Sequence, residues 1–351
     1  MAIYSIWNNK GGVGKSYLTF QIACEYARIH QEQKVLVADM CPQANASGML
    51  LGGMIRGEKQ LCDLGSQNPS RTIAGYIEDR IRSPYVSPRS GASYAVNVSQ
   101  FNDRVPANLY LLAGDEQLEI QTSRVLNATN PGPTDAWRIV HTWISDLIED
   151  VKYALNENDL TVFIDCNPSF SIYTELAMSA SDRLIIPFSA DGSSKRAVRA
   201  VLSLLYGVTR RPGAQQSLFH LNSQRFRLPV PQIYCYVGNR LTQYVKSAKA
   251  FRTVVQEIGD EIFAVWQGNS NVFCIHPSGK PVPNGESLFR DMFQFEIVDA
   301  NTASVVSSTL GIPIVSLTAG QYTILEKDIT VNQSQLDRQQ PNIKSLVSMI
   351  E

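Results

Sequence analysis

The feature that most limits how this chain can fold is a glycine-rich loop near its N-terminus. Residues 10–16 read Lys-Gly-Gly-Val-Gly-Lys-Ser. Residues 3–7 form a short apolar run that predicts a buried strand, and apolar residues after Ser16 recur at helical spacing as far as His30. A strand that ends in such a loop and opens a helix directs backbone N–H groups and the helix dipole at one point. The sequence therefore predicts a phosphate-binding loop.

The side chains of this loop predict a nucleotide as the ligand. The glycines let the backbone fold inward around phosphate oxygens. Lys15 is expected to reach the β- and γ-phosphates, and the Ser16 hydroxyl to bind Mg²⁺. We therefore expect ATP and Mg²⁺ as cofactors. The residues of this segment expected to bind the nucleotide are Lys10, Gly11, Gly12, Val13, Gly14, Lys15, Ser16 and Tyr17.

The rest of the chain alternates predicted strands and helices. Strands are predicted at residues 34–39, 109–112, 160–165, 183–187, 233–237 and 312–317. Helices are predicted at residues 136–155, 172–179, 195–206, 245–258 and 343–350. Alternation of this kind is typical of an α/β fold with a doubly wound, mostly parallel sheet, here of the P-loop NTPase type.

Two turn-rich stretches interrupt this alternation. Residues 53–107, with one predicted helix near residues 72–81, and residues 267–292 are interpreted as surface insertions. A single domain over residues 1–351 that carries both insertions is the simplest account. In the terminal helix, the apolar residues are expected to be buried: Ile343, Leu346, Val347 and Ile350.

Composition excludes several classes of protein. No apolar run reaches the roughly 18–20 residues that a membrane span requires, and the N-terminus lacks the basic region of a signal peptide. The six cysteines show no zinc-site spacing, and the four histidines have no partner at ligand spacing. Scattered cysteines in apolar surroundings are typical of reduced thiols, so a cytoplasmic location is expected.

The basic residues are concentrated in one segment. Eleven of the 31 lysines and arginines, and none of the 32 acidic residues, lie between Asp191 and Glu257. Such asymmetry in a chain of net charge −1 indicates a surface for a polyanion.

Three segments together resemble the ParA/MinD family of deviant Walker A ATPases. Lys10 precedes the glycine pair, while Asn9 stands where the ordinary motif has its first glycine. Residues 39–45 resemble the second conserved box of that family, and residues 163–169 resemble its Walker B and switch segment. In the family, the first lysine reaches across a nucleotide-sandwich dimer to the phosphates of the partner. The resemblance therefore implies this role for Lys10 and a homodimer when ATP binds.

Further site residues follow from the same resemblance. A carboxylate at the end of a strand beside a phosphate loop can hold Mg²⁺ directly or through water. Ser16, Asp39 and Asp165 are therefore the predicted metal ligands. Lys10, Lys15 and Asp39 are the predicted catalytic residues. Asn239 resembles the asparagine with which the family recognises the base, and Pro313 lies in a matching segment, so both are predicted to bind the nucleotide.

The chain departs from the family pattern at Cys41, where relatives carry a second aspartate that positions or activates the attacking water. A thiol supplies no fixed negative charge at neutral pH. The sequence therefore predicts an ATPase with slow hydrolysis and a long-lived ATP-bound state. Tyr17 stands where relatives usually carry threonine, so a backbone N–H is expected to make the α-phosphate contact.

The resemblance favours a ParA-type partition ATPase, which would place or segregate a DNA or other cargo with a ParB-like or cargo-adaptor partner. Such a protein binds DNA without sequence preference, and would be nucleoid-associated. The residues predicted to contact DNA are Lys195, Arg196, Arg199, Arg210, Arg211, Lys246, Lys249 and Arg252. A MinD-like membrane switch and a nucleotide-binding scaffold with little hydrolysis are the alternatives. The terminal helix, with one lysine and no aromatic anchor, disfavours the membrane switch.

Overall fold

A central sheet of eight strands organises the chain. The computed structural model describes residues 1–130, 132–209, 213–241 and 245–351, with side chains described outside residues 240–251. The strands are β1 (Ala2–Ile6), β2 (Val35–Asp39), β3 (Ala95–Asn97), β4 (Leu109–Leu112), β5 (Thr161–Asp165), β6 (Arg183–Phe188), β7 (Gln232–Leu241) and β8 (Gln294–Val298). Their order is β3-β4-β2-β5-β1-β6-β7-β8, and only β3 and β4 pair in antiparallel fashion. The predicted α/β class with a mostly parallel sheet is confirmed.

Helices cover both faces of the sheet. In the described part of the chain they are α1 (Lys15–Ile29), α2 (Asn45–Leu50), α3 (Met54–Gly65), α4 (Ile73–Arg82), α5 (Gln117–Thr129), α6 (Ala136–His141), α7 (Trp143–Ala154), α8 (Ile172–Ala180), α9 (Ser194–Tyr206), α10 (Leu218–Phe226), α11 (Val245–Gly268), α12 (Glu286–Phe293), α13 (Thr302–Leu310) and α14 (Gln333–Val347). A hairpin of β9 (Gly320–Ile324) and β10 (Lys327–Val331) lies outside the central sheet.

The apolar side chains of the central strands divide between two cores, one on each face of the sheet. Along β5, Val162 and Ile164 enter one cluster while Phe163 enters the other. Leu36 and Val37 of β2 divide in the same way. Alternate side chains of a strand point to opposite faces, so a strand covered on both sides must be apolar throughout. This is why residues 35–38 and 162–164 are continuous apolar runs.

The prediction of a strand at residues 312–317 is wrong. The chain there forms a short 3₁₀ turn at Ile314–Ser316. The backbone N–H of Ile314 donates to Gln21 Oε1 over 2.7 Å, so α1, not a neighbouring strand, supplies its hydrogen-bond partner. The edge strand β8 takes the place in the sheet next to β7.

Several boundaries also differ from the prediction. The predicted helix at residues 136–155 consists of α6 and α7, which meet at Thr142. The terminal helix begins ten residues earlier than predicted, at Gln333, and includes Pro341. Its apolar residues are buried as predicted: Ile343, Leu346 and Val347, followed by Ile350. In the described part of the chain, no helix combines the length and apolar character needed to cross a membrane.

The two predicted insertions contribute to the body of the protein. Residues 53–107 contain α3, α4 and β3, the last of which pairs with β4. Residues 267–292 contain the start of α12 and two buried rings, Phe273 and Phe289, in edge-to-face contact. Both stretches therefore carry core residues, which their turn-rich sequences did not indicate.

Candidate nucleotide-binding site

The phosphate loop connects β1 to α1 near the middle of the sheet. Gly12 and Gly14 have φ angles of 75° and 81°, in the left-handed region where a side chain is unfavourable. Gly14 is the N-cap of α1 and offers no side-chain acceptor to the first turn of the helix. The N–H groups of that turn are therefore available for an anion, as the loop sequence predicts.

A cavity of about 710 Å³ opens above this loop. Its walls come from the loop, from the segments that follow β2 and β5, and from α2 and α3. Its lining residues include Gly11, Gly12, Gly14, Lys15, Ser16, Tyr17, Cys41, Gly48, Met54, Glu58, Leu61 and Cys166. Apart from Lys10 and Val13, the predicted phosphate-loop residues thus surround one cavity.

Lys15 lies at the base of this cavity with little solvent exposure. Its Nζ donates to the carbonyl oxygens of Lys10 and Asn8, over 2.7 and 3.3 Å. Burial lowers the pKa of Lys15, and the nearby Asp165 opposes that shift. An ammonium held over the loop by two carbonyls is placed to transfer its hydrogen bonds to phosphate oxygens.

Asp39 and Asp165 end adjacent strands and are register partners in the pair of β2 with β5. Both are fully buried. Burial, followed by the charge of Asp39, raises the pKa of Asp165 to about 8. Thr19 donates to Asp165 Oδ1 over 3.3 Å, whereas Oδ2 is buried without a hydrogen bond of ordinary geometry in the described chain. A buried carboxylate oxygen of this kind fits a hard cation such as Mg²⁺.

Asp39 is engaged differently. Its Oδ1 accepts from the backbone N–H of Cys41 over 3.1 Å, and its Oδ2 accepts from the N–H and hydroxyl of Ser47, over 2.9 and 2.8 Å. Burial raises the pKa of Asp39 to about 6, and these hydrogen bonds limit the shift. Asp39 therefore holds the segment after β2 with both of its oxygens, whereas Asp165 keeps one oxygen, Oδ2, without such a hydrogen bond. The catalytic and metal-binding roles predicted for Asp39 stay predictions.

Cys41 lines the cavity and is nearly buried. Burial, together with the charges of Asp39 and Asp165, raises the pKa of its thiol to about 12. At neutral pH the side chain is therefore uncharged, as expected for a thiol in this position.

Lys10 points away from the cavity in the monomer. Its Nζ forms an ion pair with Asp191 and donates to the hydroxyls of Ser189 and Ser194, over 3.1 and 3.3 Å. Burial alone would raise the pKa of Asp191, but hydrogen bonds from Lys10, Ser189 and Ser193 hold it well below its usual range. These partners lie between β6 and the first residue of α9.

Asn239 and Tyr17 support the site from its edges. Asn239 lies inside β7, not at the loop start that its sequence context suggests. Its Nδ2 donates to the carbonyl of Val13 over 2.9 Å. The Tyr17 hydroxyl donates to Gln339 of α14 over 2.7 Å, so this side chain joins α1 to α14. The base and phosphate contacts predicted for Asn239 and Tyr17 stay predictions.

Pro313 does not line the cavity above the phosphate loop. It lines a separate cavity of about 730 Å³ with Arg28 and Arg104, just before the 3₁₀ turn at Ile314–Ser316. Its predicted contact with the nucleotide stays a prediction.

Two of the cations predicted to bind DNA are paired with acids. Lys195 contacts Glu257 over 2.8 Å, and Arg199 contacts Glu261 over 2.7 Å. Sequence reasoning treated the basic segment by itself and missed that α9 packs beside α11, whose acids begin where the acid-free stretch ends. Lys195 and Arg199 are four residues apart on one helix, and Glu257 and Glu261 are four residues apart on the other. This matched spacing of two basic and two acidic residues was the signal that could have revealed the contact.

The other cations predicted to bind DNA fall into two groups. Arg196 and Arg252 are exposed and have no ion pair within the described residues. Arg210 and Arg211 lie outside the described residues, as do the side chains of Lys246 and Lys249.

The sequence matches a family model described as an AAA domain over residues 1–217. A "ParA family protein" of Mycoplasma pneumoniae is 24% identical over 189 residues, which are 54% of this chain and 58% of the relative. An "uncharacterized protein" of Pseudomonas putida is 24% identical over 194 residues, 54% of this chain and 56% of the relative. The chain thus spans little more than half the length of these curated relatives.

Two solved structures share the fold over most of their length. McdA from Cyanothece without ligand has a TM-score of 0.56 at 15% identity, and covers 89% of this chain and 91% of its own. An ATP complex of a variant of Cyanothece McdA has a TM-score of 0.58 at 15% identity, with coverage of 100% and 98%. Likeness at this level of identity is a likeness of fold.

Proposed function

The chain belongs to the AAA-domain family, among the ParA/MinD-type P-loop ATPases, and from that premise we propose that it is an ATP-dependent dimerising switch. In this proposal ATP closes a homodimer, the dimer binds DNA without sequence preference, and a ParB-like or cargo-adaptor protein links it to a DNA or other cargo. Residues 1–351 would act as a single domain with segments 53–107 and 267–292 available for partner-specific contacts, in the cytoplasm at the nucleoid.

The single observation that carries the proposal is that one phosphate loop contains two lysines whose side chains point in different directions. Lys15 lies over the loop carbonyls, and Lys10 projects from the loop toward the segment before α9. One lysine suffices to bind a nucleotide in the same chain. A second lysine that points out of the cavity supports a function toward the phosphates of a second copy.

The residues present fit Mg²⁺ and ATP. Ser16 and Asp165 would hold the ion, with Asp39 acting directly or through water, and the first turn of α1 would bind phosphate oxygens. When bound, Mg²⁺ neutralises the charge that develops on the phosphates. Lys15 orients the terminal phosphate. Because Cys41 is an uncharged thiol, we propose that ATP hydrolysis is slow.

The DNA-binding proposal rests on Arg196 and Arg252, which are exposed and form no ion pair within the described residues. Arg210, Arg211, Lys246 and Lys249 add further positive charge to the same segment of the sequence. Non-specific DNA affinity comes from neutralising phosphates, so these residues support a modest, salt-sensitive interaction. The apolar face of α14 is buried, so the terminal helix does not favour the alternative of a membrane switch.

The test is sedimentation velocity and a DNA-binding assay on the same protein with ATP, with ADP and without nucleotide, all with Mg²⁺. We expect a dimer and DNA binding with ATP only. Lys15→Ala should lose ATP binding and both responses, whereas Lys10→Ala should keep ATP binding and lose the dimer. A protein that stays monomeric at saturating ATP, or that binds DNA equally without nucleotide, would contradict the proposal.

A further inference from the structure

We propose that Glu58 of α3 is the catalytic carboxylate that orients and deprotonates the attacking water during ATP hydrolysis, in place of the acid that Cys41 does not provide. The inference rests on the proposed function, since it assumes that ATP binds at the phosphate loop. Glu58 lies in the segment 53–107, for which the sequence predicted a surface insertion and no catalytic residue.

The position of α3 is fixed by close backbone packing. A Cβ atom on Gly57 would lie 2.1 Å from the carbonyl oxygen of Gly48 in α2. A Cβ atom on Gly53, just before α3, would lie 2.1 Å from the carbonyl oxygen of Thr309 in α13. Only glycine allows such approaches. Because Gly48 itself lines the phosphate cavity, α3 is held against the wall of that cavity.

One face of α3 forms part of the cavity. Met54, Glu58 and Leu61 all line it, at the spacing i, i+4 and i+7 that places side chains on the same side of a helix. Glu58 is therefore a single carboxylate between two apolar residues, on a face directed at the space above Lys15 and Ser16. Among the described lining residues it is the only carboxylate.

The other acidic groups near the loop are occupied or lie deeper. Both oxygens of Asp39 accept hydrogen bonds from Cys41 and Ser47. Asp165 is fully buried at the strand end and fits the metal. Glu58 is exposed and makes no hydrogen bond or ion pair within the described chain. Its carboxylate is thus free to accept a proton from a water molecule in the cavity.

The step balances without another reactant. The water oxygen forms a bond to the γ-phosphorus, and the bond from that phosphorus to the β–γ bridging oxygen breaks to leave ADP. The proton of the water passes to the Glu58 carboxylate and then to solvent. General-base catalysis of this kind contributes roughly 10²- to 10⁴-fold in favourable geometries. An exposed base on a helix is expected at the lower end of that range.

The test is steady-state ATP hydrolysis by Glu58→Gln, with Asp63→Asn as the matched control. Asp63 lies on the same helix, is exposed, and does not line the cavity. We expect kcat of Glu58→Gln to fall about a hundredfold, with KM and ATP affinity within about twofold of wild type, and Asp63→Asn to be unchanged. Equal kcat for the two variants would overturn the proposal.

Rescue separates a chemical role from a structural one. In the Glu58→Gln background, Cys41→Asp restores a carboxylate at the other wall and should recover the rate. The role of Glu58 would be overturned if Cys41→Asp did not recover the rate. It would also be overturned if Glu58→Gln dimerised more weakly in sedimentation at saturating ATP and this weaker dimerisation accounted for its loss of rate. A wild-type rate no higher than that of Lys15→Ala would also overturn this role. ATP-dependent dimerisation of the same samples tests the proposed function independently, so the two failures are distinguishable.

Discussion

Lys10 forms an ion pair with Asp191 of its own chain. The side chain of Lys10 is 23% exposed and that of Asp191 is 46% exposed. Two serine hydroxyls, from Ser189 and Ser194, complete the contacts of the ammonium. The lysine that the family resemblance assigns to the partner's phosphates is therefore held by an intramolecular contact in the monomer. A dimer that uses Lys10 in this way must first break this contact.

Asp191→Asn should strengthen dimerisation with ATP. Partly exposed ion pairs contribute about 0.2–1 kcal/mol each, and a symmetric dimer breaks two of them, so releasing Lys10 should lower the dimer dissociation constant by roughly 2- to 30-fold. Sedimentation velocity over a series of protein concentrations, at saturating ATP and Mg²⁺, measures this constant.

A control for Asp191→Asn is Asp135→Asn, which removes a partly exposed aspartate paired with Arg138 at the start of α6. It should leave the dimer constant unchanged. An Asp191→Asn protein that dimerises more weakly than wild type would show that Asp191 supports the dimer, contrary to this expectation.

Arg196→Ala should weaken DNA binding more than Lys195→Ala. Lys195 is paired with Glu257, whereas Arg196 is exposed without an ion pair in the described part of the chain. If Arg196 contacts a phosphate, its removal lowers the slope of log affinity against log salt by about 0.9. Fluorescence anisotropy with one duplex at several salt concentrations gives both slopes. Equal slopes for the two variants would contradict the expectation that the unpaired Arg196, and not the paired Lys195, contacts a DNA phosphate.

The sequence predicted the parts of the fold that have strong local signals. The buried strands at β2, β4 and β5 and the loop between β1 and α1 were found because parallel strands are continuous apolar runs and the loop needs glycine. The strand β8 was missed because only one of its residues, Ile297, is buried in an edge position. The stretch 312–317 was misassigned because its apolar residues are buried under α14 and α1 without joining the sheet.

The site was predicted where one segment supplies the chemistry and less well where several segments meet. The residues from Gly11 to Ser16 follow from the loop motif alone. The pairing of Lys10 with Asp191, and the approach of Glu58 to the loop, each join residues far apart in the chain. No local pattern encodes such contacts. For Glu58 alone the neighbouring Gly57 is a partial signal, because a glycine inside a helix often marks close packing against another element.

Gly57→Ala should destabilise the protein and impair hydrolysis together. The added Cβ would lie 2.1 Å from the Gly48 carbonyl oxygen, so α3 must move away from α2. Overpacking of this kind costs about 1–3 kcal/mol. Chemical denaturation and steady-state ATPase measure the two effects.

Gly65→Ala, at the end of the same helix, is the matched control for Gly57→Ala. Its Cβ would meet Asp115 Oδ2 at 3.4 Å, an ordinary contact. It should therefore be stable and active. Equal stability of the two variants would mean that α2 and α3 can separate without cost.

Stability should fall in acid partly because of His276. The ring is fully buried, stacks on Tyr234 at 3.9 Å, and its Nε2 lies 2.7 Å from the Tyr234 carbonyl oxygen. Burial lowers the pKa of His276 to about 4, from 6.5 in the unfolded chain. Between these pH values the unfolded state binds more protons, so its contribution to stability is present above pH 6.5 and is lost as the pH falls toward 4. One such group accounts for about 1–3 kcal/mol. Urea denaturation of wild type and His276→Gln at several pH values in this window measures the difference: the free energy of unfolding should fall less steeply in the variant, and identical slopes would exclude His276 as the source.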